Sequence, residues 1–340
     1  MGYVIDRVTF IYTDLKMKRI LFSLISVIVL FLMSEISLRL MDWPKITAAF
    51  EHNAPFWSTD PDLAKKKFSH KEEKTHFYVS TNEDGLRNTS DEITLLESNK
   101  KRIMTLGCST TFGWGVSDQE TYPSVLQKLI QPKNPDYEVV NGGQPGFTSF
   151  QGLWFWNKIL NNYTPDVVVI GYIVQDSRKA AYSDKSQAIL QGDNRYLKNH
   201  VLYRSKSYLA LRSLLGGVQI RAKERKQGDD STGVYRVSTE EYAENIKNLI
   251  KDVQKIGATP ILFGYPLERT GYTKQHRIEL KNISNDVGGM LHYDPQDQME
   301  EISRQKQMYF TRDRGHANAD GNAKIAEWVY EFLQLQKIVK

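Results

Sequence analysis

Arg102-Ile-Met-Thr-Leu106-Gly107-Cys108-Ser109-Thr110-Thr111-Phe112-Gly113 is a short apolar run that stops at a glycine and delivers a serine. A run of this length, closed by glycine, reads as a strand buried on both faces, followed by a sharp turn into a helix. The pattern recurs downstream. Tyr137-Glu-Val-Val140, Asp166-Val-Val-Val-Ile170, Thr259-Pro-Ile-Leu-Phe263 and Met290-Leu-His-Tyr293 are further candidate strands. Helical stretches near Tyr122 to Ile130, Phe150 to Leu160, Thr239 to Ile256, Lys274 to Val287 and Asn318 to Leu335 lie between or after them. Such alternation, with near-continuous apolar strands, predicts an α/β domain whose parallel sheet is covered on both faces. Ligands of such sheets bind beyond the carboxyl ends of the strands.

That rule gives each motif a place. Ser109 follows the first strand directly, where a strand-to-helix turn exposes its hydroxyl and leaves backbone N–H groups to hold an oxyanion. The second strand ends in Asn141-Gly142-Gly143-Gln144-Pro145-Gly146, a glycine-rich loop that can bring a backbone N–H close to a substrate oxygen. The third ends in Gly171-Tyr172-Ile173-Val174-Gln175-Asp176, which offers a side-chain amide. Near the C-terminus, Thr-Arg-Asp313-Arg-Gly-His316 precedes a helix starting at Asn318. An Asp and a His three residues apart share one face of a turn, so the carboxylate can hold the imidazole in the tautomer a general base needs. Nucleophile, oxyanion donors and base are therefore expected at one edge of the sheet.

The 340 residues leave room for one large or two ordinary domains. With 45 basic and 40 acidic residues the net charge is +5, too mild and too evenly spread for a nucleic-acid binder. A single cysteine excludes an intramolecular disulfide and a cysteine zinc cluster. Ile20 to Met33 is uncharged and apolar, follows Lys16, Lys18 and Arg19, and is extended by Leu38 and Leu40. It reads as a transmembrane signal anchor over 20–40, with Glu35 and Arg39 spaced to pair near the interface. No small-residue cleavage site follows, so an uncleaved anchor is expected, with a buried N-terminal helix as the alternative; the basic residues before the segment predict residues 1–19 in the cytoplasm and the remainder on the other side. Residues 41–99 read as a membrane-proximal linker with an entry strand at His76-Phe77-Tyr78-Val79-Ser80, beside which Gly85-Leu86-Arg87 returns after the turn-like Asn82-Glu83-Asp84-Gly85. The triplet Lys65-Lys66-Lys67 reads as a solvated face.

Gly-x-Ser109 after strand one, Gly146 after strand two, an amide before Asp176 after strand three and Asp313-x-x-His316 before the last helix together resemble the SGNH/GDSL hydrolases. The resemblance spans about residues 76 to 335. It implies a flavodoxin-like three-layer α/β/α sandwich over 100–340, hydrolysis of oxygen esters, and neither cofactor nor metal. By it, Ser109 is the nucleophile, His316 the base and Asp313 its orienting carboxylate, and the oxyanion donors are the Ser109 N–H, Gly146 and Gln175. Ser109-Thr-Thr-Phe-Gly-Trp-Gly-Val116, Thr81-Asn-Glu-Asp-Gly-Leu-Arg87 and the anchor also resemble a membrane-anchored bacterial subgroup. This implies a single-pass protein of the cytoplasmic (inner) membrane, its catalytic domain outside, deacylating or deacetylating an envelope or exported glycan in company with envelope polysaccharide machinery. Two residues depart from the family pattern: Cys108 stands where Asp is usual before the serine, and Gln175 where Asn is usual. An O-acyltransferase built on the same triad and a catalytically degenerate glycan-binding or assembly protein stay open as alternatives.

Other features have plainer readings. Cys108 reads as a small buried hydrophobe, His292 as an ordinary core or surface histidine, and Trp114 as either a pocket wall or core packing. Residues 177–238 form a long excursion that leaves the sheet at the catalytic edge. It mixes Arg178, Arg195, Arg204 and Arg212 with Tyr182, Tyr196, Tyr203 and Tyr208, and reads as a cap suited to an anionic or sugar-containing polymer. Its part from Ser207 to Leu215 could alternatively lie on a membrane, and Gln227 to Gly233 is expected to be mobile.

Overall fold

The computed structural model describes residues 2–44, 65–70, 75–82, 84–89, 100–180, 183–191, 204–215, 233–269, 271–313 and 315–340. In chain order the elements used below are α1 Gly2–Leu40, β1 Lys65–His70, β2 Thr75–Ser80, β3 Lys101–Leu106, α2 Ser109–Phe112, α3 Tyr122–Ile130, β4 Tyr137–Asn141, α4 Ser149–Lys158, β5 Val167–Ile170, β6 Lys179–Ala180, α5 Asp184–Gln191, α6 Lys206–Leu215, β7 Val234–Tyr235, α7 Thr239–Lys255, β8 Thr259–Phe263, α8 Lys274–Asp286, β9 Leu291–Tyr293, α9 Gln296–Ser303 and α10 Ala319–Leu335. The chain forms two compact units, Met1–Ala48 with Ser186–Glu224, and Ala49–Lys185 with Arg225–Lys340.

The larger unit is built on a sheet of order β4-β3-β5-β8-β9, every neighbouring pair parallel. Numbered by their place in the chain, these strands run 2-1-3-4-5, the flavodoxin-like doubly wound order. The register pairs Met104 with both Val140 and Val168, and Ile261 with both Val169 and Leu291. Every residue of β5, and all but the first of β3 and β8, is buried, as a strand covered on both faces requires. Helices α3 and α10 pack together, and α4 packs on α7, which packs on α8. This is the three-layer α/β/α arrangement the sequence predicts. Asn318 caps α10, its Oδ1 accepting from the Gly321 N–H at 2.9 Å.

Ahead of the sheet, β2 pairs antiparallel with β1, a strand the sequence reading did not foresee. The lysine triplet belongs to β1, and its side chains lie outside the described residues. The expected return of Gly85-Leu86-Arg87 beside β2 is one bridge, Thr81 to Arg87, and Arg87 also bridges Asn141 on β4. Asn82 makes the turn, its Oδ1 accepting from the N–H groups of Asp84 and Leu86; Glu83 is outside the described residues. Trp114 is partly buried and packs on this hairpin, edge-on to Phe77 with ring centroids 5.2 Å apart. Helix α9 was not expected from the sequence.

In the smaller unit, the stretch Met17–Leu40 of α1 contains an 18-residue window with a mean hydropathy of 2.4 and is long and apolar enough to cross a membrane, a property that signal sequences share. Glu35 and Arg39 do pair, at 2.7 Å. Glu35 has a second task that spacing alone did not reveal. Its carboxylate accepts from the backbone N–H groups of Lys206 and Ser207 and from Ser205 Oγ, satisfying the first turn of α6. Ser34 Oγ meets Ser207 Oγ at 2.7 Å, and Arg39 donates to the Arg204 carbonyl. Most of the tyrosines and arginines on which the cap expectation rested, and Gln227 to Thr232, lie outside the described residues.

Candidate active site

β3 ends at Leu106, and Cys108 caps α2 with an extended backbone (φ −95°, ψ −151°), so two residues turn strand into helix and place Ser109 in the first helical position. Close packing holds this turn. A Cβ on Gly143 would lie 2.4 Å from the Phe112 nitrogen, so the loop after β4 rests directly on the backbone of α2. Gln144 N–H donates to the Gly107 carbonyl at 3.0 Å, and Gly171 N–H to the Leu106 carbonyl at 2.8 Å, binding the ends of β3, β4 and β5 to one another. Ser109 is 7% exposed. Cys108 is buried, its Sγ 3.2 Å from Thr110 Oγ1.

Asp313 and His316 sit on a loop closed at its base. Tyr309 and Ala317 form an antiparallel bridge, Phe310 N–H donates to the His316 carbonyl at 3.3 Å, and Asn318 N–H donates to the Met308 carbonyl at 3.0 Å. Asp313 Oδ1 accepts from the Gly315 N–H at 3.2 Å, while Oδ2 lies 2.7 Å from His316 Nδ1. The far nitrogen, Nε2, lies 2.8 Å from Ser109 Oγ, 207 residues away in sequence. A carboxylate only accepts, so Nδ1 carries the proton and the Nε2 lone pair faces the serine hydroxyl. The carboxylate, imidazole and hydroxyl form one hydrogen-bonded line, competent for proton removal from the serine. Gly146 stands in the loop after β4 with φ +81°, a conformation glycine adopts without steric cost. Gln175 stands in the turn after β5, so both expected donors are on the carboxyl edge that carries Ser109.

Three neighbours were not read as part of the site. Arg87 is buried and donates to the carbonyls of Phe112, Gly113 and Val116, completing the turn at the end of α2. The Thr81–Arg87 motif thus acts through the backbone that carries Ser109. Arg236 reaches both Gly146 and Gln175. Asp176 is fully buried, and its Oδ1 accepts from the Ser149 N–H at 2.8 Å at the start of α4. Charge type alone does not separate these residues from the many surface arginines and aspartates; their burial is the distinguishing signal.

Burial pushes the Asp176 carboxyl up from 3.8 to about 6. The folded protein therefore holds this proton more tightly than the unfolded chain does. The cost of the buried charge is absent below the unfolded value and fully present above the folded one, so this group lowers stability as pH rises from about 4 to about 6. Asp176→Asn is expected to remove that slope, being more favourable to stability at pH 7.5 than at pH 4.5 by about 2 kcal/mol. Denaturant unfolding of parent and variant at the two pH values measures it, and a difference independent of pH would refute the assignment.

No family model matches the chain. An arylesterase from Vibrio mimicus is 30% identical over 70 residues, 21% of this chain and 35% of that protein, so the match spans about a third of the relative's length. Among solved structures, the psychrotrophic esterase EstA from Pseudoalteromonas sp. is similar at 17% identity and a TM-score of 0.44, over 70% of this chain and 98% of that one. The likeness is to esterases and lipolytic proteins. It extends to a protein of the G-D-S-L family from Desulfitobacterium hafniense DCB-2 (15% identity, TM-score 0.43, 69% and 100% covered) and to the acetylxylan esterase Axe2 from Geobacillus stearothermophilus (14% identity, TM-score 0.46, 70% and 96% covered).

Proposed function

We propose that the protein is a serine esterase of the SGNH/GDSL type, anchored by α1 with its larger unit outside the cytoplasmic membrane, and that it removes acetyl or another small acyl group from a glycan. The observation that carries this is the Asp313–His316–Ser109 line, with contacts of 2.7 and 2.8 Å. His316 Nε2 takes the Ser109 proton as Oγ attacks the ester carbonyl. The oxygen of the tetrahedral intermediate is held by the Ser109 and Gly146 N–H groups and the Gln175 amide. Collapse breaks the bond to the leaving oxygen, which receives the proton from His316, and an acyl-Ser109 remains. Water, deprotonated by His316, then releases the acid and restores the serine. The acetylxylan esterase among the similar structures motivates an O-acetylated sugar as the substrate class.

In detergent-solubilised full chain, p-nitrophenyl acetate is expected to yield p-nitrophenol, and an O-acetylated oligosaccharide to yield free acetate. Release of nitrophenol with no release from any acetylated glycan would confine the reading to a general esterase. Appearance of the acetyl group on an added sugar acceptor, in place of free acetate, would make the protein an acyltransferase.

A further inference from the structure

Gln175 poses a physical problem for the proposed mechanism. A glutamine has one more rotor than asparagine, and its amide presents either the oxygen or the NH₂ unless something fixes it. An oxyanion donor is effective only when held in place before the charge develops.

Arg236 supplies the constraint. It stands at the foot of the 177–238 insertion, immediately after the two-stranded ribbon in which Lys179 pairs with Tyr235 and Ala180 with Val234. Its own N–H donates to the Arg178 carbonyl at 2.8 Å, and its carbonyl accepts from the Asp184 N–H at 2.7 Å. Nη1 of its guanidinium donates to the Gly146 carbonyl at 2.8 Å and to Gln175 Oε1 at 3.0 Å. Nη2 donates to Gln151 Oε1 at 3.2 Å, and Nε and Nη2 grip the two oxygens of Asp184, each at 2.9 Å. Asp184 also accepts from Thr148 Oγ1 at 2.6 Å. The side chains of Arg236 and Asp184 are 11% and 3% exposed, so this fork is held inside the larger unit.

We infer that Arg236 is a positioning residue for the oxyanion donors, fixing the Gln175 amide and the Gly146 loop from the foot of the insertion. The inference rests on the esterase reading above. A guanidinium has only donors, so the Gln175 atom facing it must be the carbonyl oxygen, and the NH₂ is the end left to donate elsewhere. A flipped amide would set donor against donor. The charge-assisted bond also polarises the amide and strengthens its remaining N–H groups as donors. Asp184 neutralises the guanidinium, so Arg236 acts through geometry rather than through net charge at the reacting carbonyl. Its partners are 61 and 90 residues away, so one side chain joins the ribbon at the base of the insertion to both donor loops.

The test is a double-mutant cycle in the detergent-solubilised full chain. Arg236→Lys keeps a cation beside Asp184 but lacks the planar fork that reaches Gly146, Gln151 and Gln175 together. Expected is a kcat on p-nitrophenyl acetate about ten- to a hundredfold lower, with KM and the thermal midpoint near the parent's. In a Gln175→Ala background the same substitution should cost less than about threefold, because the group it positions is gone. Gln175→Asn, which retracts the amide from Arg236 by one methylene and leaves the Arg236–Asp184 pair intact, is expected to lower kcat rather than raise it. Parental kcat in Arg236→Lys, an equal loss in both backgrounds, a loss confined to KM, or a faster Gln175→Asn overturns the inference while Ser109-dependent turnover leaves the esterase reading standing. Turnover that does not depend on Ser109 overturns both.

Discussion

Replacing Ser109 with alanine is expected to lower kcat on p-nitrophenyl acetate by at least about a thousandfold, with the thermal midpoint unchanged. The hydroxyl is the only atom lost, and its one described side-chain partner is His316 Nε2 at 2.8 Å. His316→Ala is expected to cost about as much, and the double variant no more than either alone, because the two groups act as a unit. Asp313→Asn tests the tautomer argument separately. The Asp313 carboxylate accepts from Nδ1–H at 2.7 Å, whereas an amide can donate to Nδ1 and move the proton to Nε2, turning the base away from the serine; a loss of about ten-thousandfold is expected. Retention of parental kcat by Ser109→Ala would exclude the serine mechanism. Additive losses in the double variant would mean that the two residues serve different steps.

The largest stability effect is expected at Arg87. Its side chain is fully buried and makes a 2.8 Å ion pair with Asp118 while donating to the carbonyls of Tyr78, Phe112, Gly113 and Val116. The guanidinium also lies over the Phe112 ring, 5.0 Å from its centroid. Arg87→Met fills similar volume but leaves several buried carbonyls without their arginine donor and Asp118 without its cation, the carboxylate then being held, among the described residues, only by the Ser80 N–H and hydroxyl. A destabilisation of about 3–5 kcal/mol is expected, read as a shift in the denaturant midpoint. Adding Asp118→Asn should recover part of it, since the stranded charge is then removed. Because three of these carbonyls close the turn after Ser109, esterase turnover is expected to fall even in the folded fraction. A shift below about 1 kcal/mol would refute the clamp.

The strands were legible because β3, β5 and β8 are short, apolar and buried on both faces, leaving near-continuous runs of Val, Ile and Leu. Helix α7 shows its period and its Ser238–Glu241 capping box equally plainly. By contrast, β1 reads Lys-Lys-Lys-Phe-Ser-His, a composition with low strand preference, and becomes a strand by pairing with β2. Helix α9 has Asp297, Glu300 and Glu301 among its residues and few apolar ones to mark a period; among these, Met299 is buried and Ile302 packs on the core.

The sequence by itself therefore determined the layered α/β architecture, the strand-to-helix turn at Ser109, and the short Asp313–His316 spacing. Each depends on neighbours within a few residues, where chain stereochemistry dictates the outcome. Only the tertiary structure decided that His316 Nε2 meets Ser109 Oγ, that Arg87 closes the turn behind the serine, that Arg236 holds Gly146 and Gln175 together, and that Glu35 satisfies the start of α6. Those contacts join residues 25 to 207 positions apart. A buried arginine or glutamate carries the same letter as a solvated one, and only the packed fold shows which have lost their water and must find protein partners instead.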